Sequence, residues 1–327
     1  MKKITIKEIA KLSNVSVSTV SNVINGKGKC SVETKDKIFQ IMKEYNYRPN
    51  QAARTLASKK SNLIGILFPS KDTVSVNNNF YAKIIEIITK ELSEKSYNLV
   101  IGNNSESLNI LEWKDKLDLE GLIIVGDLEK ELENQLKNLK FPITLIDNYK
   151  NSLYGVNYIN SDDTLGGFDA TEVLIDSNCK KIVFVGSEEV EIHSRRYLGY
   201  QSAIIENSLN FERLYLEENS YEGGRRVGEI LSTEDIDGIC VASDIMAFGV
   251  IYSLLKSGKR IPNDIKIIGF NNTDSCKYIT PTLSSIDLNF KEKGKLAVEM
   301  IFNEIEDIKF FKNQSVDLNI VKRDSTK

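Results

Sequence analysis

The stretch TIKEIAKLSNVSVSTVSNVIN, residues 5–25, decides how the chain begins. Its first half repeats apolar residues at the spacing of one helical face: Ile6, Ile9 and Ala10. Thr5 and Glu8 stand at the positions of a capping box at the start of this helix. Asn14 tolerates the left-handed backbone of a tight turn, and Ser16 predicts the cap of a second helix. Two short helices joined by a tight turn predict a helix-turn-helix.

The second helix, predicted over residues 17–25, differs on its two faces. The apolar face is formed by Val17, Val20 and Ile24, and the polar face by Ser18, Ser21, Asn22 and Asn25. A face that only meets solvent would favour Lys, Glu and Gln, which are strong helix formers. Small uncharged side chains instead let a helix enter the major groove of DNA. Ser31 predicts the cap of a third helix, whose core residues are Ile38, Phe39, Met42 and Tyr45. The alternative is a three-helix bundle without a nucleic-acid role.

Charge divides the chain at the same place. Residues 1–60 carry 13 basic and 4 acidic side chains, a net charge of +9, whereas residues 61–327 carry 30 and 42, a net charge of −12. A basic module joined to an acidic body is typical of a phosphate-binding domain attached to a second function. On charge alone, a solvated lysine-rich tail is the alternative.

The sequence lacks the common motifs of catalytic and metal-binding sites. It contains no GxxxxGK[ST] phosphate loop, no GxGxxG after a strand and no GxSxG nucleophile elbow. His193 is the lone histidine, and the cysteines lie far apart, at Cys30, Cys179, Cys240 and Cys276. We therefore expect no enzyme, cofactor or metal site, and reduced thiols in a reducing compartment. Since neither a signal peptide nor a membrane span is predicted, the cytoplasm is the expected location.

From Leu63 onward, short apolar runs alternate with helical stretches. The predicted strands form two consecutive sets, residues 63–68, 97–102, 121–126 and 143–147, then 181–186, 213–217, 237–242 and 266–271. This order predicts two doubly wound parallel-sheet lobes behind an α-helical head, an α plus α/β architecture. A ligand is expected beyond the carboxyl ends of the strands, where the lobes face each other.

Two motifs, VSVSTVSNVIN (residues 15–25) and YRPNQAARTL (residues 47–56), resemble the start of LacI/GalR-family repressors, and the resemblance continues along the whole chain. It implies a DNA-binding head at 1–60, with a hinge helix at about 50–58, and a periplasmic-binding-protein-like domain at 61–327 for effector binding and dimerisation. Lobe one is expected at about 61–160 plus 289–320, and lobe two at about 161–288.

The resemblance also implies DNA contacts. It assigns base reading to Val17, Ser18 and Asn22, and phosphate contacts to Thr5, Ser16, Thr19, Ser21, Asn25 and Tyr47. Many relatives carry Arg in place of Asn22, and since Asn suits adenine, we expect a changed operator base. Within the hinge it places Asn50 near the DNA backbone, Ala53 near the partner hinge and Leu56 as a wedge in the minor groove. The segment QAARTLAS is too short to be a stable helix alone, and a plain linker is the alternative.

The effector positions that the resemblance implies are Phe80, Tyr81, Asp162, Arg196, Tyr215, Asp244 and Asn271. Aromatic, charged and amide groups together suit a sugar or sugar phosphate. Phe80 could instead be a core residue and Asp244 a helix cap. The family usually has Asp in place of Asn271, and the loop 70–80 is longer than usual, so the effector need not be typical of the family.

We expect a homodimer on a pseudo-palindromic operator, because the sequence ends without the leucine heptads that form tetramers in some relatives. Three alternatives stay open. The ligand could be a corepressor such as a purine; the partner could be a phosphorylated carrier protein of a catabolite-control regulator, a branch that ASKKSNLIGI and RDSTK resemble; or the chain could be a solute-binding protein.

Overall fold

The structure is a computed structural model that describes residues 4–24, 30–45, 47, 61–68, 79–102, 109–137, 139–150, 153–188, 190–211, 213–310 and 312–327. The chain divides into two compact units, Met1–Ser61 and Asn62–Lys327. Among the described residues, no helix is both long and apolar enough to cross a membrane.

The first unit contains α1 (Ile6–Ser13), α2 (Val17–Ile24) and α3 (Val32–Glu44). The capping box is confirmed, because the Glu8 N–H donates to Thr5 Oγ1 at 3.3 Å and the Thr5 N–H donates to Glu8 Oε2 at 2.7 Å. Asn14 has the predicted left-handed backbone, with φ 57°. The three helices close a core of Ile9, Ala10, Val20, Val23 and Ile38.

Three side chains predicted to be apolar core residues lie elsewhere. Val17 is 41% exposed, because the inward stripe of α2 runs through Val20 and Val23. Phe39 and Tyr45 are each 49% exposed. Phe39 follows the buried Ile38 directly and so points away around the helix, and Tyr45 lies beyond the last residue of α3.

Lobe one is built on a six-stranded sheet in the order β11-β5-β4-β3-β1-β2. Its strands are β1 (Leu63–Leu67), β2 (Asn98–Ile101), β3 (Gly121–Val125), β4 (Ile143–Ile146), β5 (Asn157–Asn160) and β11 (Asn313–Ser315). All of its pairs are parallel. The helices of this lobe are α4 (Asn79–Glu94), α5 (Ile110–Leu117), α6 (Lys130–Leu136) and α11 (Phe290–Ile305).

Lobe two is built on a second six-stranded sheet, in the order β12-β10-β9-β8-β6-β7. Its strands are β6 (Ile182–Gly186), β7 (Leu214–Leu216), β8 (Gly238–Val241), β9 (Lys266–Phe270), β10 (Ser284–Asp287) and β12 (Asn319–Val321). Its helices are α7 (Asp163–Asp176), α8 (Glu191–Glu206), α9 (Tyr221–Leu231) and α10 (Asp244–Lys256). Short 3-10 turns follow at Asp274–Lys277 and Asp324–Thr326.

The chain passes between the two sheets three times: after β5, after β10 and between β11 and β12. After the third passage, β12 begins at Asn319 and pairs antiparallel with β10, close to the limit of about 320 predicted for lobe one. One cluster of buried apolar side chains runs through both lobes, from Ile64 and Ile66 in β1 to Phe184 and Phe270 in lobe two.

Glycines let α7 and α8 pack backbone against backbone. A Cβ atom on Gly199 would lie 1.9 Å from the Thr164 carbonyl oxygen, and one on Gly167 would lie 2.0 Å from the Arg196 carbonyl oxygen. Both distances are far below any allowed contact. The two glycines therefore allow the close contact of α7 and α8 that positions Arg196 on α8.

Candidate DNA-binding and effector sites

The outer face of α2 has the small uncharged character that the sequence indicates. Val17, Ser18 and Asn22 are exposed along one side of the helix. Ser16 caps the helix, because its Oγ accepts the N–H of Thr19 at 3.0 Å. None of the residues in this helix is charged, so its free side presents methyl, hydroxyl and amide groups.

The described positions that are predicted to lie near phosphates differ in exposure. Thr5 and Ser16 are exposed, whereas Thr19, Ser21 and Tyr47 are half-buried. Tyr47 is attached to the head by its N–H, which donates to the Met42 carbonyl at 2.8 Å. The remaining predicted DNA contacts lie outside the described residues: Asn25, Asn50, Ala53 and Leu56.

Arg196 lies at the centre of the predicted effector region and is 2% exposed. Its Nε and Nη2 both donate to Asp163 Oδ1 at 2.8 Å. Its Nη1 donates to the Ala242 carbonyl at 2.6 Å, and its guanidinium lies 4.3 Å from the centre of the Phe270 ring. Arg196 thus joins α7 to the carboxyl ends of β8 and β9.

Asp162 and Asp163 divide two tasks between them. Asp162 is exposed and caps α7, with its Oδ1 accepting the Leu165 N–H at 2.9 Å. Asp163 is the first residue of the helix and points inward to Arg196. The structure therefore brings Asp163 to Arg196, in place of the predicted Asp162.

Asp244 is fully buried inside lobe two. Its Oδ2 accepts the N–H and the hydroxyl of Thr273, at 2.8 and 3.1 Å, and its Oδ1 accepts the Ser285 hydroxyl at 2.7 Å. Burial raises the pKa of this carboxyl to about 6 against these hydrogen bonds. Asp244 thus joins the loop after β9 to β10. It is the first residue of α10 and does not cap it, because the N-cap position is Ser243.

Two other predicted effector positions differ in their distance from Arg196. Asn271 follows Phe270, whose ring lies against Arg196; it has a φ of 104°, and its N–H donates to the Ile286 carbonyl at 2.9 Å. Tyr215 on β7 is buried in the second apolar cluster of lobe two, across the sheet from the Phe184 and Phe270 side chains. The structure does not bring Tyr215 to Arg196. Phe80 and Tyr81 lie in the first turn of α4, and their side chains are not among those described.

Two buried polar pairs near Arg196 were absent from the sequence prediction. Lys293 of α11 is fully buried and donates to Asp147 Oδ1 at 2.5 Å. Burial raises the pKa of Asp147, and Lys293 acts against this. His193 accepts the Ser187 N–H through Nδ1 at 3.0 Å. Burial, followed by the charge of Arg196, holds the pKa of His193 well below its ordinary value.

Comparison with known proteins identifies the family of the chain. A model of the bacterial regulatory proteins of the lacI family matches residues 5–50, and a model of a periplasmic binding protein-like domain matches residues 171–326. The chain is 31% identical over 330 residues to catabolite control protein A of Priestia megaterium, covering 98% of this chain and 96% of that protein. The chain belongs to the LacI family.

Other LacI-family relatives match over a similar length. The regulator MalR of Clostridium butyricum is 30% identical over 334 residues, with 98% of each chain covered. The ribose operon repressor of Haemophilus influenzae is 30% identical over 315 residues, with 92% of each covered. The chain is therefore a DNA-binding transcriptional regulator of the LacI family, which confirms the function predicted from its motifs.

Solved structures of LacI-family proteins share the fold. A Lac repressor dimer bound to operator and an anti-inducer matches with a TM-score of 0.82 at 23% identity, over 99% of each chain. A LacI-family regulator from Enterococcus faecium with bound ribose matches with a TM-score of 0.72 at 25% identity, over 80% of this chain and 98% of the other. The predicted fold class, a helix-turn-helix head followed by two parallel-sheet lobes, is confirmed.

Proposed function

We propose that this LacI-family regulator is a cytoplasmic repressor of carbohydrate-utilisation genes, a homodimer whose binding to a pseudo-palindromic operator is controlled by a small sugar-like effector. The exposed uncharged face of α2 carries the proposal, because Val17, Ser18 and Asn22 are presented outward by a capped helix-turn-helix. Side chains of this size and polarity suit base edges in the major groove.

Basic charge and the flanking polar groups support the same orientation on DNA. In the proposal, phosphates are contacted by Thr5, Ser16, Thr19, Ser21, Asn25 and Tyr47. The hinge contributes Asn50 and Ala53, and Leu56 inserts between base pairs. Unstacking a base step costs a few kcal/mol, which the extra contact surface of bent DNA offsets.

An exposed apolar face on α10 supports a homodimer. Ile245, Tyr252 and Leu255 lie on one side of this helix and are 42%, 45% and 39% exposed, and Tyr278 beyond β9 is 79% exposed. A second copy of the chain would cover these side chains and set two heads in symmetric positions. The Lac repressor with which the chain shares its fold is a dimer on its operator.

The effector is proposed to bind between the lobes near Arg196, Asp162 and Asn271, with Phe80 and Tyr81 from α4. Solved family structures hold ribose, cellobiose and D-xylulofuranose, which favours a sugar or sugar phosphate. An effector that prefers one of two lobe arrangements by about 1–3 kcal/mol would change operator occupancy 5- to 150-fold.

A second candidate is a regulator whose effector is a corepressor or a protein. This candidate is supported by relatives of the chain named catabolite control protein A and PurR. In this case a purine or a phosphorylated carrier protein would raise operator affinity in place of a sugar that lowers it.

The test begins with selection of duplex DNA from a random pool by the full-length protein, followed by titration of the selected operator. Ribose, cellobiose, xylulose, their phosphates and hypoxanthine are then added one at a time. Release of operator by a sugar supports the proposal, and tighter binding with hypoxanthine supports the second candidate. Failure to select any duplex over random competitor would overturn both.

Arg196→Lys tests the effector position. Lysine keeps a charge beside Asp163 but loses the planar fork of donors. We expect the effector response to be lost and operator affinity to be kept. Arg226→Lys is the matched control, because Arg226 is exposed on α9 and pairs there with Glu217 at 2.7 Å. A full response from Arg196→Lys would remove Arg196 from the site.

A further inference from the structure

Tyr149 belongs to lobe one, and its side chain contacts lobe two. It follows β4 by three residues, and its hydroxyl donates to Asp163 Oδ2, in the first turn of α7, at 2.5 Å. The same hydroxyl lies 3.1 Å from the carbonyl oxygen of Ser161, in the connection between the lobes. Burial and the carboxylates of Asp147 and Asp163 raise the pKa of Tyr149, so the phenol stays a proton donor at any physiological pH.

The carboxylate that receives Tyr149 is the one that holds Arg196. Asp163 uses Oδ2 for the tyrosine of lobe one and Oδ1 for the arginine of lobe two. A hydrogen bond to an ionised acceptor is stronger than one between neutral groups. Each lobe thus contributes one donor to a single buried acceptor, which makes the orientation of Asp163 depend on both lobes.

Arg195, also on α8, lies against the ring of Tyr149. The guanidinium of Arg195 is 4.5 Å from the ring centre of Tyr149. Next to this stack, Lys150 of lobe one pairs with Glu191 of α8 at 3.6 Å. Attraction between a cation and an aromatic face is strongest where water is excluded. The contacts of Tyr149 and Lys150 with lobe two form what we call the interlobe clasp: Tyr149, Lys150, Asp163, Glu191 and Arg195.

Several polar atoms around the clasp are buried without a hydrogen-bond partner within the described part of the chain. They are Asp147 Oδ2, Ser161 Oγ, Ser187 Oγ and Arg195 Nε. Burying such atoms costs free energy unless a ligand, water or movement satisfies them. The lobe arrangement of this structure therefore carries a free-energy cost, which the contacts of the clasp offset.

We propose that Tyr149 is a positioning residue for Arg196, and that the interlobe clasp keeps Arg196 in its effector-binding orientation only in the lobe arrangement of this structure. The proposal rests on the effector site of the proposed function. Tyr149 acts through Asp163 and touches neither the effector nor DNA. Loss of its hydroxyl leaves Asp163 held from one lobe only, so this lobe arrangement becomes less populated.

The test is an interlobe distance measured by pulsed electron paramagnetic resonance. Spin labels go on Lys116→Cys and Glu206→Cys, two exposed positions near the ends of α5 and α8 and on opposite lobes. The background carries Cys30→Ser, because Cys179, Cys240 and Cys276 are buried and Cys30 is only half-buried. Labelled chains are diluted into unlabelled protein so that each distance lies within one chain.

The variants compared are Tyr149→Phe, Arg195→Met and the control Tyr154→Phe. Tyr154 lies in the same β4–β5 connection and is fully exposed, so its hydroxyl has no interlobe role. We expect Tyr149→Phe and Arg195→Met to shift the distance distribution to longer values, and Tyr154→Phe to match the wild type. Identical distributions for Tyr149→Phe and the wild type would overturn the proposal.

Operator affinity of the effector-free proteins supplies the second readout. A structural role alone would lower thermal stability and leave operator affinity unchanged. We expect Tyr149→Phe to change operator affinity by at least about 5-fold relative to Tyr154→Phe. An unchanged affinity in a protein with lengthened distances would overturn the link between clasp and output. If the wild type binds no operator, the proposed function fails, whereas the distance comparison still decides on the clasp.

Discussion

Asp163 and Arg196 form an ion pair that is buried on both sides: Asp163 Oδ1 lies 2.8 Å from Nε and from Nη2, and the two side chains are 0% and 2% exposed. Both donors meet the same oxygen, so the other oxygen is left for Tyr149. Removal of either charge leaves its partner in a medium of low dielectric constant. The pair therefore matters to folding as well as to the effector.

Arg196→Met is expected to lower the free energy of unfolding by about 3–5 kcal/mol, because it strands the Asp163 carboxylate inside the protein. The double variant Asp163→Asn/Arg196→Met removes both charges and keeps an acceptor for Tyr149, so most of the stability should return. Urea unfolding followed by circular dichroism measures both variants. A double variant as unstable as Arg196→Met would contradict this account of the pair.

His193 is expected to make the protein sensitive to acid. Its folded-state pKa is well below the ordinary value of about 6.5, because burial and Arg196 disfavour the imidazolium. Below pH 6.5, His193 therefore binds a proton in the unfolded chain but not in the folded one. The free energy of unfolding consequently falls as the pH falls. We therefore expect part of the stability present at pH 7.5 to be lost by pH 5.

His193→Asn isolates that loss. Its amide oxygen is placed to accept the Ser187 N–H that Nδ1 accepts now, and it does not titrate. We expect the stability of this variant to fall less between pH 7.5 and 5 than that of the wild type, in unfolding experiments at matched ionic strength. Parallel curves for the two proteins would show that His193 titrates normally in the folded state.

Gly199→Ala is expected to destabilise lobe two by roughly 3 kcal/mol or more, because the new Cβ would lie 1.9 Å from the Thr164 carbonyl oxygen and force α7 and α8 apart. The control is Ser202→Ala on the exposed side of the same helix, where we expect a change within about 0.5 kcal/mol. Thermal unfolding compares the two variants. Equal melting temperatures would mean that the helix contact yields without cost.

The head could be predicted from sequence because its signals act over a few residues. The bond between Thr5 and Glu8 and the left-handed turn at Asn14 are local, and the structure has both. Continuous apolar runs likewise predicted the central strands of both sheets. The strands β5 and β10 were not predicted, because polar residues such as Asn157, Ser284 and Ser285 occupy them.

Those polar residues are buried through partners that are distant in sequence. Ser284 bonds to Thr326, and Asn157 bonds to Glu304, contacts that no local pattern reveals. Prediction of the interlobe site from the sequence was limited for the same reason. The Asp162–Asp163 doublet was visible, but which of the two faces Arg196 depends on where α7 begins. Lys293 meets Asp147 across 146 positions, so only the fold could pair them.

Asn22→Arg is expected to change the base that the protein prefers at one position in each operator half-site. Asn22 is exposed on α2, and its amide suits the N6 and N7 edge of adenine, whereas an arginine pairs with guanine O6 and N7. Each such contact discriminates by about 1–3 kcal/mol, enough for a selected pool of sequences to shift clearly. The control is Gln40→Arg on the exposed side of α3, which adds the same charge away from α2 and should raise affinity for all sequences alike. An unchanged consensus from Asn22→Arg would mean that Asn22 does not read a base.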